Sequence, residues 1–211
     1  WRGNGTRAIF GGGYSSPALI ASADFVTIAT TGNASAFGNL SQSRRGLGAF
    51  SSFNRNFFAG GATPSMVNTI DYFTPSSQGN AADCGDLTVA RKAVGASSNS
   101  TRGLVFGGTQ APPVLDATEE YDGTNWTNGG DMNVARNQLT GTGTQTAALA
   151  ISGGTSPSDG TGAVEQYNGS TWTAISAIST TRYDMGSSGT TSDALAFGGY
   201  PPTAATERYN G

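Results

Sequence analysis

The sequence predicts an all-β fold built from repeated four-stranded antiparallel sheets. Three observations lead to this prediction: a Gly-Gly pair recurs at a nearly constant spacing, short apolar runs alternate with turn-forming residues, and the composition is rich in glycine and poor in charge. Of the 211 residues, 32 are glycine and 12 % are charged, which is about twice and about half the ordinary usage. This composition favours β-structure with many turns over charge-rich disorder.

The Gly-Gly pair closes an apolar run five times, and the first glycines of successive pairs are 49, 47, 46 and 45 residues apart. A period of this length indicates a repeat architecture, in which neighbouring repeats bury each other's apolar faces. The pairs are Gly11-Gly12, Gly60-Gly61, Gly107-Gly108, Gly153-Gly154 and Gly198-Gly199.

Two further sequence patterns recur with about the same spacing as the Gly-Gly pair. The first is an apolar residue four positions before an arginine, and the second is an acidic residue closely followed by an aromatic residue. The arginines are Arg44, Arg91, Arg136 and Arg182. These markers divide the chain into repeats of approximately 1–43, 44–90, 91–135, 136–181 and 182–211.

Each repeat is expected to supply four strands, a to d, joined by turns. Strand a follows the apolar residue that lies three positions after the arginine, and strand b ends at the Gly-Gly pair. Strand c carries the acidic and aromatic residues, and strand d precedes the next arginine. Between strands c and d, Asp122-Gly123 and Asn168-Gly169 predict type I′ hairpins, because this turn needs positive φ at both central residues. Strand a of the first repeat and strand d of the last are expected to be missing.

The repeat resembles the kelch repeat of β-propellers. The resemblance rests on the Gly-Gly pairs and on a tyrosine followed five residues later by a tryptophan, as in Tyr121/Trp126 and Tyr167/Trp172. It implies a single kelch-like β-propeller domain over 1–211. Five repeats are visible and both termini are cut within blades, so we expect either a five-bladed ring with a seam near the termini or further blades in a longer parent chain. The Thr/Gly/Asn-rich stretches 6–12 and 25–33 also resemble kelch-like virion proteins of tailed, especially marine, bacteriophages.

Large apolar side chains of this pattern are expected to fill the wedges between blades, where they bury the most area. They are Phe10, Phe58, Phe106, Tyr121, Trp126, Tyr167, Trp172 and Phe197.

The composition excludes several function classes. The chain has no histidine, which excludes His-ligated zinc and the Ser-His-Asp and Cys-His catalytic arrangements. A net charge of −3 with Lys92 as the single lysine disfavours nucleic acid as a partner. No apolar run approaches the roughly 18 residues of a membrane span. We therefore expect no catalytic residues, metal, cofactor, nucleic acid or membrane insertion.

The candidate binding face is formed by the loops between strands b and c. In an antiparallel blade these b–c loops share one end of the sheet with the d–a connections, and seven of the eight prolines lie in them. Proline lowers the entropic cost of ordering a binding loop, although it also serves simply to discourage strand pairing. Candidate binding residues in the loops are Pro17, Pro64, Pro112, Pro113, Asp159, Tyr200 and Pro201.

The repeated arginines, Arg44, Arg91, Arg136 and Arg182, are candidates for the same face because they lie at the d–a connections. In one interpretation their guanidinium groups bind carboxylates, phosphates or sugar hydroxyls. In the other, which we favour because every blade repeats the residue, each arginine bonds a neighbouring blade, with Asp71, Glu120, Glu165 and Glu207 as candidate partners.

From the resemblance we expect a non-enzymatic structural and binding module of a phage particle: a tail, fibre or other virion surface component. Its partners would be other virion or surface proteins and host cell-surface glycan, and its location the virion or the extracellular space. Two alternatives stay open: a secreted or cell-surface bacterial lectin or adhesin, and a glycan-active hydrolase.

Overall fold

The structure of the protein, a computed structural model, describes residues 2–3, 6–156 and 159–211. Within these residues the chain forms nineteen β-strands and no helix. The chain divides into two compact units, which we call the N-terminal unit (Trp1–Lys92) and the C-terminal unit (Ala93–Gly211).

The N-terminal unit contains two four-stranded antiparallel sheets, each with its strands in chain order. Sheet 1 comprises β1 (Arg2–Gly3), β2 (Arg7–Ser15), β3 (Ala18–Thr27) and β4 (Ser35–Asn39), and sheet 2 comprises β5 (Gly48–Ser51), β6 (Asn56–Ala59), β7 (Thr69–Phe73) and β8 (Ala82–Asp86).

The C-terminal unit contains two sheets of four strands and one that has three among the described residues. Sheet 3 comprises β9 (Gly95–Ser98), β10 (Gly103–Phe106), β11 (Thr118–Tyr121) and β12 (Trp126–Asn128). Sheet 4 comprises β13 (Thr140–Gly143), β14 (Ala148–Ile151), β15 (Val164–Tyr167) and β16 (Trp172–Ile175), and sheet 5 comprises β17 (Gly186–Gly189), β18 (Ala194–Phe197) and β19 (Thr206–Tyr209).

The predicted fold class is confirmed: the protein is an all-β, five-bladed β-propeller of antiparallel sheets. The strand assignment within the repeats is also confirmed, since strands a of sheets 2 to 5 begin directly after the apolar residue that follows the arginine. One expectation about the ends is wrong. The first sheet does have a short first strand, because Arg2 pairs with Ile9 across β1 and β2.

The first b–c segment differs from its expected loop form. The predicted loop from Gly13 to Ser22 is a two-stranded ribbon, in which β2 and β3 continue past an irregularity between Gly11 and Gly13. The ribbon ends in a tight turn at Ser16-Pro17, which has a cis peptide bond.

The c–d hairpins of sheets 3 and 4 have a different turn from the predicted type I′. Only Gly123 and Gly169 have positive φ, at 107° and 96°, whereas type I′ needs two such residues. The side-chain oxygens of Asp122 and Asn168 instead accept hydrogen bonds from the two backbone N–H groups that close each turn. These hydrogen bonds to a short polar side chain stabilise each turn without a second residue of positive φ.

Within each unit the core lies between successive sheets and is built mainly by strands b, c and d. In the C-terminal unit the Trp172 ring of sheet 4 packs edge-on against Phe106 of sheet 3 at 4.9 Å between centroids. Most of the predicted wedge residues are buried, namely Phe58, Phe106, Tyr121, Tyr167 and Trp172, and Trp126 is half-buried. The prediction is wrong for Phe10 and Phe197, which are 43 % and 39 % exposed, because each points away from the neighbouring sheet of its own unit.

Strand b ends in a pair of residues with positive φ in every repeat. In two repeats this pair is displaced by one residue from the Gly-Gly pair of the sequence. The first position of the pair has φ between 59° and 69° in all five repeats. It is occupied by Gly12 rather than Gly11 in sheet 1 and by Ser152 rather than Gly153 in sheet 4. In sheets 1 to 4 the second position donates its N–H to the carbonyl of the next repeated arginine, as Gly13 does to Arg44 at 2.8 Å.

Replacing Gly107 with alanine is predicted to destabilise the fold more than replacing Gly198. Both have φ near +65°, so both changes cost about 1–2 kcal/mol of left-handed strain. A methyl group at Gly107 would also lie 2.5 Å from the Arg136 carbonyl oxygen, whereas at Gly198 it meets nothing within 4 Å. Urea unfolding of the two variants measures the difference, and equal midpoints would contradict the close approach.

Candidate functional site

Arg44 joins the two sheets of the N-terminal unit. Its carbonyl oxygen accepts the Gly13 N–H of sheet 1. Its buried guanidinium reaches into sheet 2, where Nη1 donates to the carbonyls of Gly60 and Thr69 at 2.9 and 2.6 Å, and Nη2 pairs with Asp71 Oδ2 at 2.9 Å. One side chain thus holds strands b and c of one sheet while its own backbone is held by the preceding sheet.

The carboxylate partner of this link also fixes the chain three residues before the arginine. Asp71 Oδ2 accepts the N–H of Ser41 at 2.9 Å and its hydroxyl at 2.8 Å. The d–a connection is therefore anchored at two points, the serine and the arginine, on the same acidic side chain.

The C-terminal unit repeats this arrangement twice. Arg136 donates to the carbonyls of Ser152 and Ala163 and pairs with Glu165 at 2.8 Å. Arg182 donates to the carbonyls of Gly198 and Ala205 and pairs with Glu207 at 2.8 Å. Both carboxylates also accept a backbone N–H three residues before the arginine, from Asn133 and Ser179.

Arg91 is equally buried, and its carbonyl accepts the Gly61 N–H at 2.8 Å. In sheet 3 the buried Glu119, and not the predicted Glu120, occupies the position that Asp71, Glu165 and Glu207 have in the other sheets. Glu119 is the residue of strand c that pairs with Val105 of strand b. Glu120 accepts hydrogen bonds from the Tyr167 hydroxyl and from Gln145 Nε2. Burial and that carboxylate raise the pKa of Tyr167.

The geometry of Arg44, Arg136 and Arg182 favours the structural interpretation of the repeated arginine. Burial lowers the pKa of Arg44 and of Arg136, against the opposing effect of Asp71 and Glu165. A guanidinium whose Nη groups are bonded to backbone carbonyls and a carboxylate has little capacity left for a ligand.

Replacing Arg136 with methionine is predicted to lower the free energy of unfolding by about 3–5 kcal/mol, because Glu165 is left buried without its cation. Replacing Arg208, whose ion pair with Asp193 is exposed, should leave stability unchanged. Denaturant unfolding of both variants tests this. Arg136→Met/Glu165→Met should recover part of the loss, and a single Arg136→Met variant as stable as wild type would contradict the link.

The ion pair between Arg182 and Glu207 is predicted to weaken in acid. Burial raises the pKa of the Glu207 carboxyl, but hydrogen bonds from Ser179 and Arg182 outweigh it and set the pKa below 4.5. Because the folded pKa is the lower one, the carboxylate's contribution is present above about pH 4.5 and is lost as the pH falls through the folded value. Unfolding free energies of wild type and Glu207→Gln, measured from about pH 7 to about pH 3, should converge towards low pH. A constant difference would contradict this.

The structure confirms that the b–c loops and d–a connections meet at one end of a sheet. The residue after the arginine bridges to the b–c segment in three sheets, through the pairs Arg45–Ala62, Asn137–Gly154 and Tyr183–Tyr200. The predicted face therefore exists in each of these sheets. The residue after the arginine is exposed at Arg45, half-buried at Tyr183 and buried at Asn137, and the arginines themselves are buried.

In the N-terminal unit the loop face carries a cation–aromatic pair. Pro17 lies in the exposed turn of the sheet 1 ribbon, and Pro64 lies in a short turn closed by a bridge between Ala62 and Met66. The guanidinium of Arg45, which bridges to Ala62, lies 5.2 Å from the centroid of the exposed Tyr14 ring. Sequence reasoning missed this pair, although Arg45 follows directly on the repeated arginine.

In the C-terminal unit, Pro112 and Pro113 form one tight loop, and Asp159 belongs to the next. Both prolines follow cis peptide bonds, and the loop is held by bonds from Thr109 and Gln110 to the Pro113 carbonyl. Asp159 is exposed and accepts the Ser156 hydroxyl at 2.9 Å. Pro157, also a predicted loop proline, lies outside the described residues.

The Asp159 loop leads to a pair of tyrosines at sheet 5. The neighbouring Gly160 is so close to the Tyr183 ring that a Cβ there would lie 3.4 Å from Cδ1. The Tyr183 ring packs against Tyr200 at 5.2 Å between centroids, and Tyr200 is 53 % exposed and precedes Pro201. Burial, and then Tyr200 and Asp184, raise the pKa of Tyr183. The structure thus brings Tyr200, Pro201 and the Asp159 loop together, with Tyr183 as the residue that sequence reasoning missed.

Among the described residues, no three His, Cys, Asp or Glu side chains come together in a group that could hold a metal ion. The same part of the chain has no helix of the length and apolarity needed to cross a membrane.

Comparison with models of known protein families finds none that matches this chain, and comparison with curated proteins finds no relative.

Proposed function

We propose that this protein is a non-enzymatic structural and binding module of a phage particle, such as a tail, fibre or other virion surface component, and that its b–c loops contact host-surface glycan. The observation that carries the binding part is the separation of roles between two sets of polar residues. The repeated arginines and carboxylates bond one sheet to the next, whereas the loop residues differ from sheet to sheet and are exposed.

The loop cluster of the C-terminal unit has the chemistry of a carbohydrate contact. A sugar ring stacks its C–H face on an aromatic ring and donates its hydroxyls to carboxylates. Tyr200 offers an exposed ring whose orientation is fixed by Tyr183, and Asp159 offers an exposed carboxylate on the adjoining loop. Fixed aromatic groups bind with a low entropic cost.

The attribution to a phage particle is supported by the resemblance of the repeats to kelch-like virion proteins of tailed bacteriophages. In this proposal the partners are other virion proteins and cell-surface glycan, and the location is the virion surface. The low charge and the inter-sheet arginine links suit a rigid extracellular scaffold.

The binding proposal predicts that Tyr200→Ala lowers glycan affinity at least about tenfold, equivalent to about 1.4 kcal/mol. The labelled full chain would be applied to an array of bacterial surface glycans and compared with Tyr200→Ala and Asp159→Asn. Phe53→Ala is the matched control, because Phe53 is 71 % exposed but lies in an a–b turn. Absence of any bound glycan, or equal binding by Tyr200→Ala, would contradict the proposal.

The virion attribution has its own test in the genes that flank the coding sequence. Tail or capsid genes on both sides would support it. Flanking genes for bacterial secretion or surface assembly would contradict it and favour a lectin or adhesin with the same loop contacts.

A further inference from the structure

Arg45 is exposed on the loop face of the N-terminal unit, and its guanidinium makes no hydrogen bond or ion pair with any residue that the structure describes. Its side chain contacts the Tyr14 ring, whose centroid lies 5.2 Å from the guanidinium carbon. The N–H donors of this guanidinium are therefore available to an acceptor from outside the chain.

The backbone of Arg45 is held in place on both sides of the residue. Its N–H donates to the Ala62 carbonyl at 3.0 Å, and its carbonyl accepts the Ala62 N–H at 2.8 Å. Ala62 in turn forms a bridge to Met66 within the b–c loop of sheet 2. The arginine side chain therefore extends from a fixed position of the loop face, which lowers the entropic cost of binding a ligand.

The inter-sheet link places Tyr14 beside this arginine. The Gly13 N–H donates to the Arg44 carbonyl at 2.8 Å. The residues that follow this bonded pair are Tyr14 and Arg45, which are thereby brought together. Tyr14 is also held in the ladder of the sheet 1 ribbon, where it pairs with Leu19. A guanidinium over an aromatic ring keeps N–H groups for a second partner, because the ring interacts with its face and not with its edge.

Three other repeats make the same link without a cation–aromatic pair next to it. The link recurs from Gly61 to Arg91, from Gly108 to Arg136 and from Gly153 to Arg182. The residues that follow these bonded pairs are Ala62 and Lys92, Thr109 and Asn137, and Gly154 and Tyr183. Because these repeats form their links with other residues at the two positions, the architecture does not require the pair of Tyr14 and Arg45.

The charge of the surrounding segments favours an anionic ligand. The b–c segments 13–22 and 62–68 and the d–a connection 40–47 contain no Asp or Glu, and their charged residues are Arg44 and Arg45. Arg44 is buried in its ion pair. The charge that these segments present at the surface is therefore the positive charge of Arg45.

We propose that Arg45 binds the anionic substituent of an acidic sugar, a carboxylate or a phosphate, and that Tyr14 positions its guanidinium. Two N–H groups of the guanidinium donate to two oxygens of the anion, which is the paired geometry that arginine offers and lysine does not. The choice of a sugar as the ligand rests on the proposed function, whereas the negative charge of the ligand is inferred from Arg45 and its surroundings.

Three sugars that share one pyranose ring test the requirement for charge. Glucuronate, glucose 6-phosphate and glucose differ only in the group at C6. The full chain would be titrated with each at about pH 7, and NMR would follow the Arg45 side chain and the Tyr14 ring. At least one of the two anions should shift these signals and bind at least about fivefold more tightly than glucose. The tighter anion identifies carboxylate or phosphate as the group bound. Equal affinities for all three sugars, or no binding of either anion, would overturn the proposal.

Two arginine variants localise the contact. Arg45→Gln should weaken binding of the tighter anion at least about fivefold. Arg55→Gln is the matched control, because Arg55 also lies over a tyrosine ring, that of Tyr72 at 4.3 Å, but belongs to the a–b turn at the opposite end of sheet 2. It should bind the anion as wild type does, and denaturant unfolding establishes that both variants are folded. Unchanged binding by folded Arg45→Gln, or equal weakening by the two variants, would contradict the assignment.

Tyr200→Ala separates this contact from the glycan contact of the C-terminal unit. The tighter anion should shift the Arg45 signals of this variant as it shifts those of wild type, and loss of the shifts would contradict a site at Arg45. Array glycans that bind through Tyr200, with no shift at Arg45 from either anion, would overturn the Arg45 contact and leave the proposed function intact. Shifts at Arg45 without any glycan bound through Tyr200 would support the Arg45 contact and overturn the other one.

Discussion

Each compact unit is held together by a repeated contact in which a buried arginine pairs with a carboxylate of the next sheet. A four-stranded sheet of such short strands has too little apolar area to be stable alone. The side chains of Arg44, Arg136 and Arg182 each donate to carbonyls at the ends of strands b and c, and the charge of each is balanced by a carboxylate of strand c. The backbone carbonyl of the same residue is held by the preceding sheet. Burying the charge is tolerable because both Nη groups are bonded.

This link explains the left-handed residues at the end of strand b. The N–H at the second position of the pair must reach the arginine carbonyl, and that approach leaves no room for a Cβ at the first position in sheets 2 and 3. Sheet 4 shows the exception, because Ser152 occupies the first position at φ 59° and its hydroxyl bonds to the Arg182 carbonyl. The Gly153 N–H of this pair is 3.4 Å from that carbonyl, compared with 2.8 Å for the Gly13, Gly61 and Gly108 counterparts.

Because repeated residues determine the architecture, the loops are free to differ from repeat to repeat. The loop face carries a cation–aromatic pair in one unit and a tyrosine pair beside an acidic loop in the other. The loops of the two units therefore carry different chemistry on the same kind of scaffold.

The period, the strand order and the residues of the inter-sheet links could all be predicted from the sequence, because a contact that every repeat makes requires the same residue in every repeat. The arginines, the apolar residues four positions before them and the acid of strand c all recur in phase, so the all-β repeat fold and the ion pairs of Asp71, Glu165 and Glu207 could be predicted. Tertiary structure alone decided which residue of each Gly-Gly-like segment has the left-handed backbone, since Ser152 can replace a glycine when its hydroxyl gains a partner from the next repeat. It also decided the exposure of Phe10 and Phe197 and the pairing of Tyr183 with Tyr200. These depend on whether a neighbouring sheet covers a face and on which loops meet, and residues far apart in the sequence determine both.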